Sequence, residues 1–232
     1  METVNWPGAI EKNREALLRI VEALFALIGL DDRGAVATLP RRLRNSVLRI
    51  LRPAESAVRR LIVMAAYACL PDGWGESDFD GLAGAKSGRR KSREKASFAS
   101  SSFPLIEPLK RFRFSPSRRK PKGFPRISII GLTEPRPIPA GWIPSPDDPL
   151  DATRLCARLR ALKKALGDIE GQATRLARWK AKRKLGLSRS KRFSPLRPGW
   201  PPGYRKRPVH EVDDMLRECH SLAMYAQRID SS

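Results

Sequence analysis

The sequence predicts an all-α fold in which N-terminal helices and a C-terminal antiparallel helical hairpin are joined by a long, largely disordered basic linker rich in Pro, Gly and Ser. Apolar residues recur at helical spacing near both ends of the chain. Between them, residues 71–148 contain 11 Pro, 8 Gly and 11 Ser. We therefore divide the chain into a helical module (1–70), a linker (71–148) and a hairpin (149–232) with a Pro-rich basic arm at 185–208. Five prolines between Pro195 and Pro208 predict that this arm is extended.

The first two helices are predicted from their ends as well as from their apolar stripes. Asn5 suits the N-cap of the first helix, Pro7 its opening turn and Gly29 its exit. Thr38 is expected to cap the second helix, and Pro53 should stop or kink it.

A third helix is predicted in the segment "PAESAVRRLIVMAAYACL", the most apolar part of the chain. Its spacing turns Val58, Leu61 and Ile62 inward and points Arg59 and Arg60 outward. We expect this helix to form the centre of a small core.

The linker is predicted from its one-sided charge. Between Lys86 and Arg126 there are 14 basic residues and 2 acidic ones. Low apolar content and charge of one sign do not offset the entropy cost of ordering, so we expect much of this region to be disordered. Two segments are candidates for local order, namely "FPLIEPLKRFRF" and a short strand at "PRISIIGL".

The clearest helix is predicted over residues 149–184, with Asp148 as its cap and Pro149 in its opening turn. Its apolar residues alternate at steps of four and three, which is the seam of a helix that needs a partner. The seam consists of Leu155, Leu159, Leu162, Leu166, Ile169, Ala173 and Leu176. We expect it to pack against a last helix at about Val209–Ile229 as an antiparallel hairpin, and a second copy of the chain is the alternative partner.

Both histidines lie near the end of the chain, where His220 follows Cys219. His210 and Cys219 are nine residues apart, about 13 Å along one helix. Zinc ligands lie about 2.0–2.3 Å from one point, so these two side chains do not share a metal on a straight helix. A site with Cys156 would need the hairpin to close, and no second ligand pair supports it. We predict no metal site and a role for His210 near the helix N-terminus.

Catalytic patterns are also missing from the sequence. It contains no local arrangement of Ser, His and Asp, and "GLAGAKSG" lacks the adjacent Gly, Lys and Ser of a phosphate-binding loop. We therefore expect no enzyme and no cofactor. The three cysteines form no CxxC pair, the start has no basic signal-peptide region, and the apolar runs are too short to span a bilayer. These features favour a cytoplasmic protein with no membrane partner.

The charge is the most informative feature. The chain has 46 Lys and Arg, 24 Asp and Glu and a net charge of +22, which attracts polyanions. Basic residues alternate with aromatic ones in Lys110–Arg126 and Arg175–Arg207, a composition suited to phosphate contact and base stacking. No motif for reading a base sequence accompanies them. The residues predicted to contact phosphate are Arg111, Arg113, Arg118, Arg119, Lys120, Arg178, Lys180, Lys182, Arg183, Lys191, Arg192, Arg205, Lys206 and Arg207.

The sequence thus favours a non-enzymatic protein that binds DNA or RNA without sequence specificity. Two alternatives stay open. In the first, the chain is a protein-interaction or scaffolding protein that docks a partner through the 155–176 seam or through "PLRPGWPPGYRKRP". In the second, the positive charge is solvated and binds no partner, and Trp179 and Trp200 pack against the core.

Three segments together resemble a group of small basic bacterial proteins of uncharacterised function: "PAESAVRRLIVMAAYACL", "SPDDPLDATRLCARLRALKKAL" and "SPLRPGWPPGYRKRPVHEVDDMLRECHSLA". The resemblance covers both helical ends of the chain. It implies a bacterial, cytoplasmic setting and carries over no catalytic or binding residue.

Overall fold

The structure of the protein is a computed structural model, which describes residues 5–30, 34, 36–68, 102–109, 145–186, 192 and 194–229. Within these residues the chain forms helices α1 (Trp6–Ile28), α2 (Arg41–Ala68), α3 (Thr153–Gly167), α4 (Ile169–Lys184) and α5 (Glu211–Ile229). Two short strands, β1 (Thr38–Pro40) and β2 (Pro149–Asp151), pair antiparallel. The mostly helical class predicted from the sequence is confirmed.

Helix α1 begins and ends where its sequence predicts. The Asn5 side chain accepts a hydrogen bond from the Gly8 backbone N–H at 3.1 Å. Gly29 ends the helix in the left-handed conformation, with φ of 61°, which costs a glycine little. Local capping therefore fixes both ends of this helix.

The predicted caps of the second and the long helix are wrong, because these residues enter or adjoin the small sheet. Thr38 pairs with Asp151 across the two strands instead of capping a helix. Asp148 precedes β2, and α3 begins only at Thr153, whose N–H and hydroxyl both donate to the Asp151 carboxylate. The bonds from Thr153 lower the pKa of Asp151. Pairing between segments far apart in the chain has here overridden local cap preference.

Helix α2 is the central element and runs without interruption through Pro53. It contacts each of the other four described helices. Every residue from Pro53 to Ala66 is buried, including Arg59 and Arg60. The prediction that these two arginines point outward is therefore wrong: the helix is enclosed on all sides, so no face of this half is left for water.

The predicted long helix is divided at Asp168 into α3 and α4. The Asp168 carboxylate accepts from the Gly171 backbone N–H at 3.0 Å and so caps α4. The apolar seam continues across this break, and all of its residues are buried. Its partners are α1 and α2, and α5 packs mainly on α2 as well. The predicted hairpin partner of the seam is thus replaced by α1 and the central helix.

The two predicted helical modules share one core. Buried residues of α1 and α2 pack in the same cluster as those of α3, α4 and α5. Most of the predicted linker, including "PRISIIGL", lies outside the described residues. Residues 102–109 are an exception: Phe103, Leu105 and Glu107 are buried in the core. No helix in the described ranges is both long enough and apolar enough to cross a membrane.

Candidate functional site

Residues 194–210, which comprise most of the predicted Pro-rich arm and its connection to α5, lie across α2 and α5 and are called the arm below. The arm is not extended as its prolines predict. Gly199 and Gly203 have positive φ angles of 77° and 86°, the first in a bend and the second in a turn closed by a hydrogen bond of 3.1 Å from the Tyr204 N–H to the Pro201 carbonyl. The Pro202 carbonyl accepts from the Ser56 hydroxyl at 2.8 Å, and this contact fixes the arm on the central helix.

Gly203 packs against α2 at Pro53, the one residue of this helix that has no backbone N–H. A Cβ atom added at Gly203 would lie 2.7 Å from the Pro53 nitrogen. Proline has no N–H, so the backbone of the arm approaches α2 here without leaving a helix donor unpaired. Pro53, which was expected to stop or kink the helix, therefore forms the surface against which the arm packs.

A buried ion pair lies beneath the arm. One Arg60 guanidinium nitrogen, Nη1, is 2.5 Å from the Glu107 carboxylate, and both side chains are fully buried. The same nitrogen donates to the Ser56 carbonyl at 2.8 Å. The second carboxylate oxygen of Glu107 accepts from the Arg197 backbone N–H at 3.1 Å. One acid thus ties the central helix to the arm.

His220 completes this network from α5. Its Nδ1 accepts from Arg60 Nε at 3.2 Å. A guanidinium only donates, so Nδ1 carries a lone pair and the neutral ring has its proton on Nε2. Burial, and then the Arg60 charge, lower the pKa of His220. His220 is therefore a neutral hydrogen-bond donor at physiological pH.

Residues 102–109 are held by arginines from three parts of the chain. Arg59 Nε donates to the Pro104 carbonyl at 2.9 Å, and Arg175 donates to the Phe103 carbonyl at 3.1 Å. Arg192 donates to the backbone carbonyl of Glu107. This short segment of the basic linker therefore supplies backbone acceptors to the buried Arg59 and to the more exposed Arg175 and Arg192.

A cavity of about 440 Å³ opens between the arm and α5. Its walls are mostly apolar and include Leu196, Trp200 and Met224, with His220 among the polar lining groups. Trp200 is 61% exposed. One face of its indole stacks on Tyr204, with ring centroids 4.1 Å apart and planes 19° apart.

Exposed cations lie on both sides of the contact between Gly203 and Pro53. Lys206 and Arg207 follow Gly203 by three and four residues, so their Cα atoms are within about 14 Å of it. On α2, Arg49 and Arg52 lie on one exposed stripe with Arg42. Arg42 pairs with Asp147 at 3.4 Å. Within the described part of the chain, the other four cations form no ion pair.

The α2 arginines were missed in the sequence, although a signal was available. Residues 42, 45, 49 and 52 follow helical spacing opposite the apolar stripe, and three of these four are arginine. Composition drew attention instead to the Pro-rich and aromatic segments. A search for stripes of one charge along predicted helices would have found this set.

The residues predicted to contact phosphate fall into three groups. Arg111, Arg113, Arg118, Arg119, Lys120 and Lys191 lie outside the described residues. Four interact within the chain, with Arg205 at 3.9 Å from the Asp213 carboxylate: Lys180, Arg183, Arg192 and Arg205. The exposed ones are Lys206 and Arg207 on the arm and Arg178 and Lys182 on α4.

The α4 cations lie at the other end of the central helix. Lys180 is 3.6 Å from the ring centroid of Tyr67, near the end of α2, and Arg183 is half-buried. Arg52 precedes Tyr67 by fifteen residues, or about 22 Å of helix. The exposed cations of the arm and of α4 therefore belong to two separate clusters.

His210 has the structural role predicted for it. Its Nδ1 accepts from the Val212 N–H at 3.2 Å, while the Asp213 carboxylate accepts from the His210 N–H at 3.3 Å. These reciprocal bonds form the N-terminal cap of α5. Burial raises the pKa of Cys219 to about 12, so its thiol is no nucleophile. Among the described residues, no group of three or more His, Cys, Asp or Glu side chains is arranged to hold a metal ion.

Comparison of the chain with protein-family models, with curated proteins and with solved structures finds no match. The resemblance to small basic bacterial proteins stays a prediction, and the site has to be interpreted from its own chemistry.

Proposed function

We propose that this chain is a non-enzymatic protein that binds DNA or RNA without sequence specificity, through the basic surface formed by Arg49, Arg52, Lys206 and Arg207. The observation that carries the proposal is the proximity of two sets of exposed cations, one on α2 and one on the arm, with no carboxylate paired to either set in the described residues. Such cations bind phosphates and release condensed counterions.

The packing of the arm supports this choice. Gly203 on Pro53 and Ser56 on the Pro202 carbonyl hold the arm on a fully buried part of the central helix. The backbone that carries Lys206 and Arg207 therefore does not have to be ordered when a ligand binds, which lowers the entropy cost of association. The surface offers charge without a base-reading helix, so the interaction depends on phosphates and not on sequence.

The test is a titration with mixed-sequence DNA and RNA at several salt concentrations. We expect binding at low salt and a linear decrease of log K with log salt. The double variants Arg49→Gln/Arg52→Gln and Lys206→Gln/Arg207→Gln should each reduce the slope by about 1.8 on duplex DNA and about 1.4 on single strands, since each removes two phosphate contacts.

The matched control is Arg19→Gln/Lys164→Gln, which removes two exposed cations from α1 and α3. It should leave the slope nearly unchanged, and thermal unfolding should be the same for all three variants. Equal effects of all pairs would contradict the proposed surface. No binding at low salt would contradict the function itself. Arg178→Gln/Lys182→Gln measures whether the α4 cluster contributes separately.

A protein-interaction or scaffolding role is the second candidate. The 155–176 seam is filled by the chain's own helices, which argues against self-association through it. Exposed apolar side chains favour a surface that includes the arm instead: Val209 is 78% exposed, and Trp200 is also largely exposed. If the chain does not bind nucleic acid at low salt, this role becomes the better explanation.

We also propose that the protein works in the cytoplasm of a bacterial cell. Cys156 and Cys219 are buried free thiols, which suits the reducing cytoplasm of a bacterial cell.

A further inference from the structure

We infer that the cavity beside Trp200 takes an unpaired nucleobase, so that the preferred ligand of the basic surface is single-stranded nucleic acid. This inference rests on the proposed function and adds the class of ligand. It depends on the aromatic platform, on the polar group at the cavity wall and on the charges that continue along the same arm.

Trp200 has the features of a stacking platform. Tyr204 covers one face of the indole, while the side chain as a whole remains 61% exposed. The guanidinium of Arg197 donates twice to the Trp200 carbonyl, at 2.9 and 2.6 Å, and so fixes the backbone of the platform. A pre-ordered aromatic ring with a free face stacks on any base, because every base has a π-face.

His220 supplies a polar contact that is tolerant of sequence. Its Nδ1 is occupied by Arg60, and the ring also lines the cavity beside Trp200, with ring centroids 6.3 Å apart. The proton on Nε2 makes this ring a donor. All four bases present carbonyl oxygens or ring nitrogens that accept hydrogen bonds. The cavity therefore suits a base edge without selecting one base.

Charge decides between a base and an apolar side chain of a protein partner as the occupant. Lys206 and Arg207 follow Trp200 by six and seven residues on the arm, and Arg49 and Arg52 lie beyond the Gly203 contact. A strand with its base in the cavity would place its neighbouring phosphates along these cations. Bases in a duplex are stacked and paired, and inserting one into a cavity requires unpairing it.

The test uses the full chain with three ligands: a mixed-sequence single-stranded oligonucleotide, the duplex of the same sequence, and an abasic single strand of the same length. We expect Trp200→Leu to weaken binding of the ordinary single strand by about 5- to 150-fold, the value of one stacked base. Binding of the duplex and of the abasic strand should stay within about twofold. Trp200→Phe should restore most of the affinity.

The matched control is Tyr225→Leu, which removes an aromatic side chain 48% exposed on the same helix as His220 but outside the cavity lining. It should leave all three affinities unchanged. A similar loss in both variants, or a loss that is equal for single strand and duplex, would overturn the inference while leaving the proposed function intact. Failure of every ligand to bind at low salt would overturn the proposed function and the inference with it.

Discussion

The two halves of α2 use arginine in opposite ways. In the N-terminal half, Arg49 and Arg52 are exposed and form no ion pair in the described residues. In the C-terminal half, Arg59 and Arg60 are buried and bind Pro104, Glu107 and His220. Arginine spacing within the helix does not distinguish the two halves. The two halves differ in the hydrogen-bond acceptors that distant segments supply to their arginines. These acceptors matter because a buried charge is stable only when it is paired and hydrogen-bonded.

The difference separates structural charge from functional charge. The buried arginines anchor residues 102–109 and the arm, and they are unavailable to a ligand. The exposed arginines make no such contacts and are available to phosphate. Net charge alone therefore overstates the binding surface, since part of the basic residues of this chain stabilise its fold.

Breaking the buried ion pair between Arg60 and Glu107 should change the stability of the fold more than any other substitution proposed for the two halves. Glu107→Ala leaves the Arg60 charge buried without its carboxylate, so we expect the free energy of unfolding to fall by about 3–5 kcal/mol. Urea unfolding followed by circular dichroism measures the change. Arg52→Met, on the exposed half, should change stability by no more than about 0.5 kcal/mol.

The double variant Arg60→Met/Glu107→Leu sharpens the result. It removes both charges and fills the space with apolar groups, so much of the stability lost in Glu107→Ala should return. A double variant as unstable as the single one would show that the loss comes from the other hydrogen bonds of the pair, to Ser56, Arg197 and His220, and not from the unpaired charge.

The contact at the boundary between the two halves should have the next largest effect. Gly203→Ala forces a left-handed conformation on alanine and drives its Cβ into Pro53, for an expected loss of about 2–5 kcal/mol. Gly199→Ala carries a similar backbone strain with no atom within 4 Å of the new Cβ, so about 1–2 kcal/mol should be lost. Equal losses for the two variants in thermal unfolding would mean that the close approach to α2 adds nothing.

The smallest expected effect is on pH dependence. The folded state favours neutral His220, because burial and Arg60 lower its pKa, although Glu107 acts in the opposite direction. Its contribution to stability is complete above the ordinary histidine pKa of 6.5. It is lost as pH falls below that value towards the lower pKa of the folded state.

His220→Gln provides the comparison for this effect. Glutamine keeps an acceptor for Arg60 but does not titrate, so the decrease in unfolding free energy below pH 6.5 should be smaller than in the parent chain. The measurement is urea unfolding between pH 5 and 8, a range in which histidine is the side chain expected to titrate. Identical pH profiles would show that the pKa of His220 is the same in the folded and unfolded states.

Several elements were predictable because their signals are local. Asn5 and Gly29 bound α1 through contacts within a few residues. The seam from Leu155 to Leu176 is buried as its spacing predicts, even across the break at Asp168. His210 acts at the N-terminus of the last helix, as expected, and the structure shows that it caps this helix. Each of these depends on helical geometry and on atoms near in sequence.

The remaining features depend on residues far apart in the chain. Thr38 was predicted as a cap and is part of a strand, because its partner Asp151 lies more than a hundred residues away. Arg60 was predicted to be exposed, because no nearby residue indicates that Glu107 and His220 would reach it. The arm was predicted to be extended, since sequence spacing does not show that Gly203 meets Pro53.

The sequence by itself determined the helical class, the apolar faces and the excess of positive charge, because these follow from residue type and short-range periodicity. Only the tertiary structure decided which arginines are buried, which helix fills the seam and where a cavity opens beside Trp200. The physical reason is that burial and pairing of charge are set by contacts between distant segments, and their energies depend on the surroundings that the fold creates.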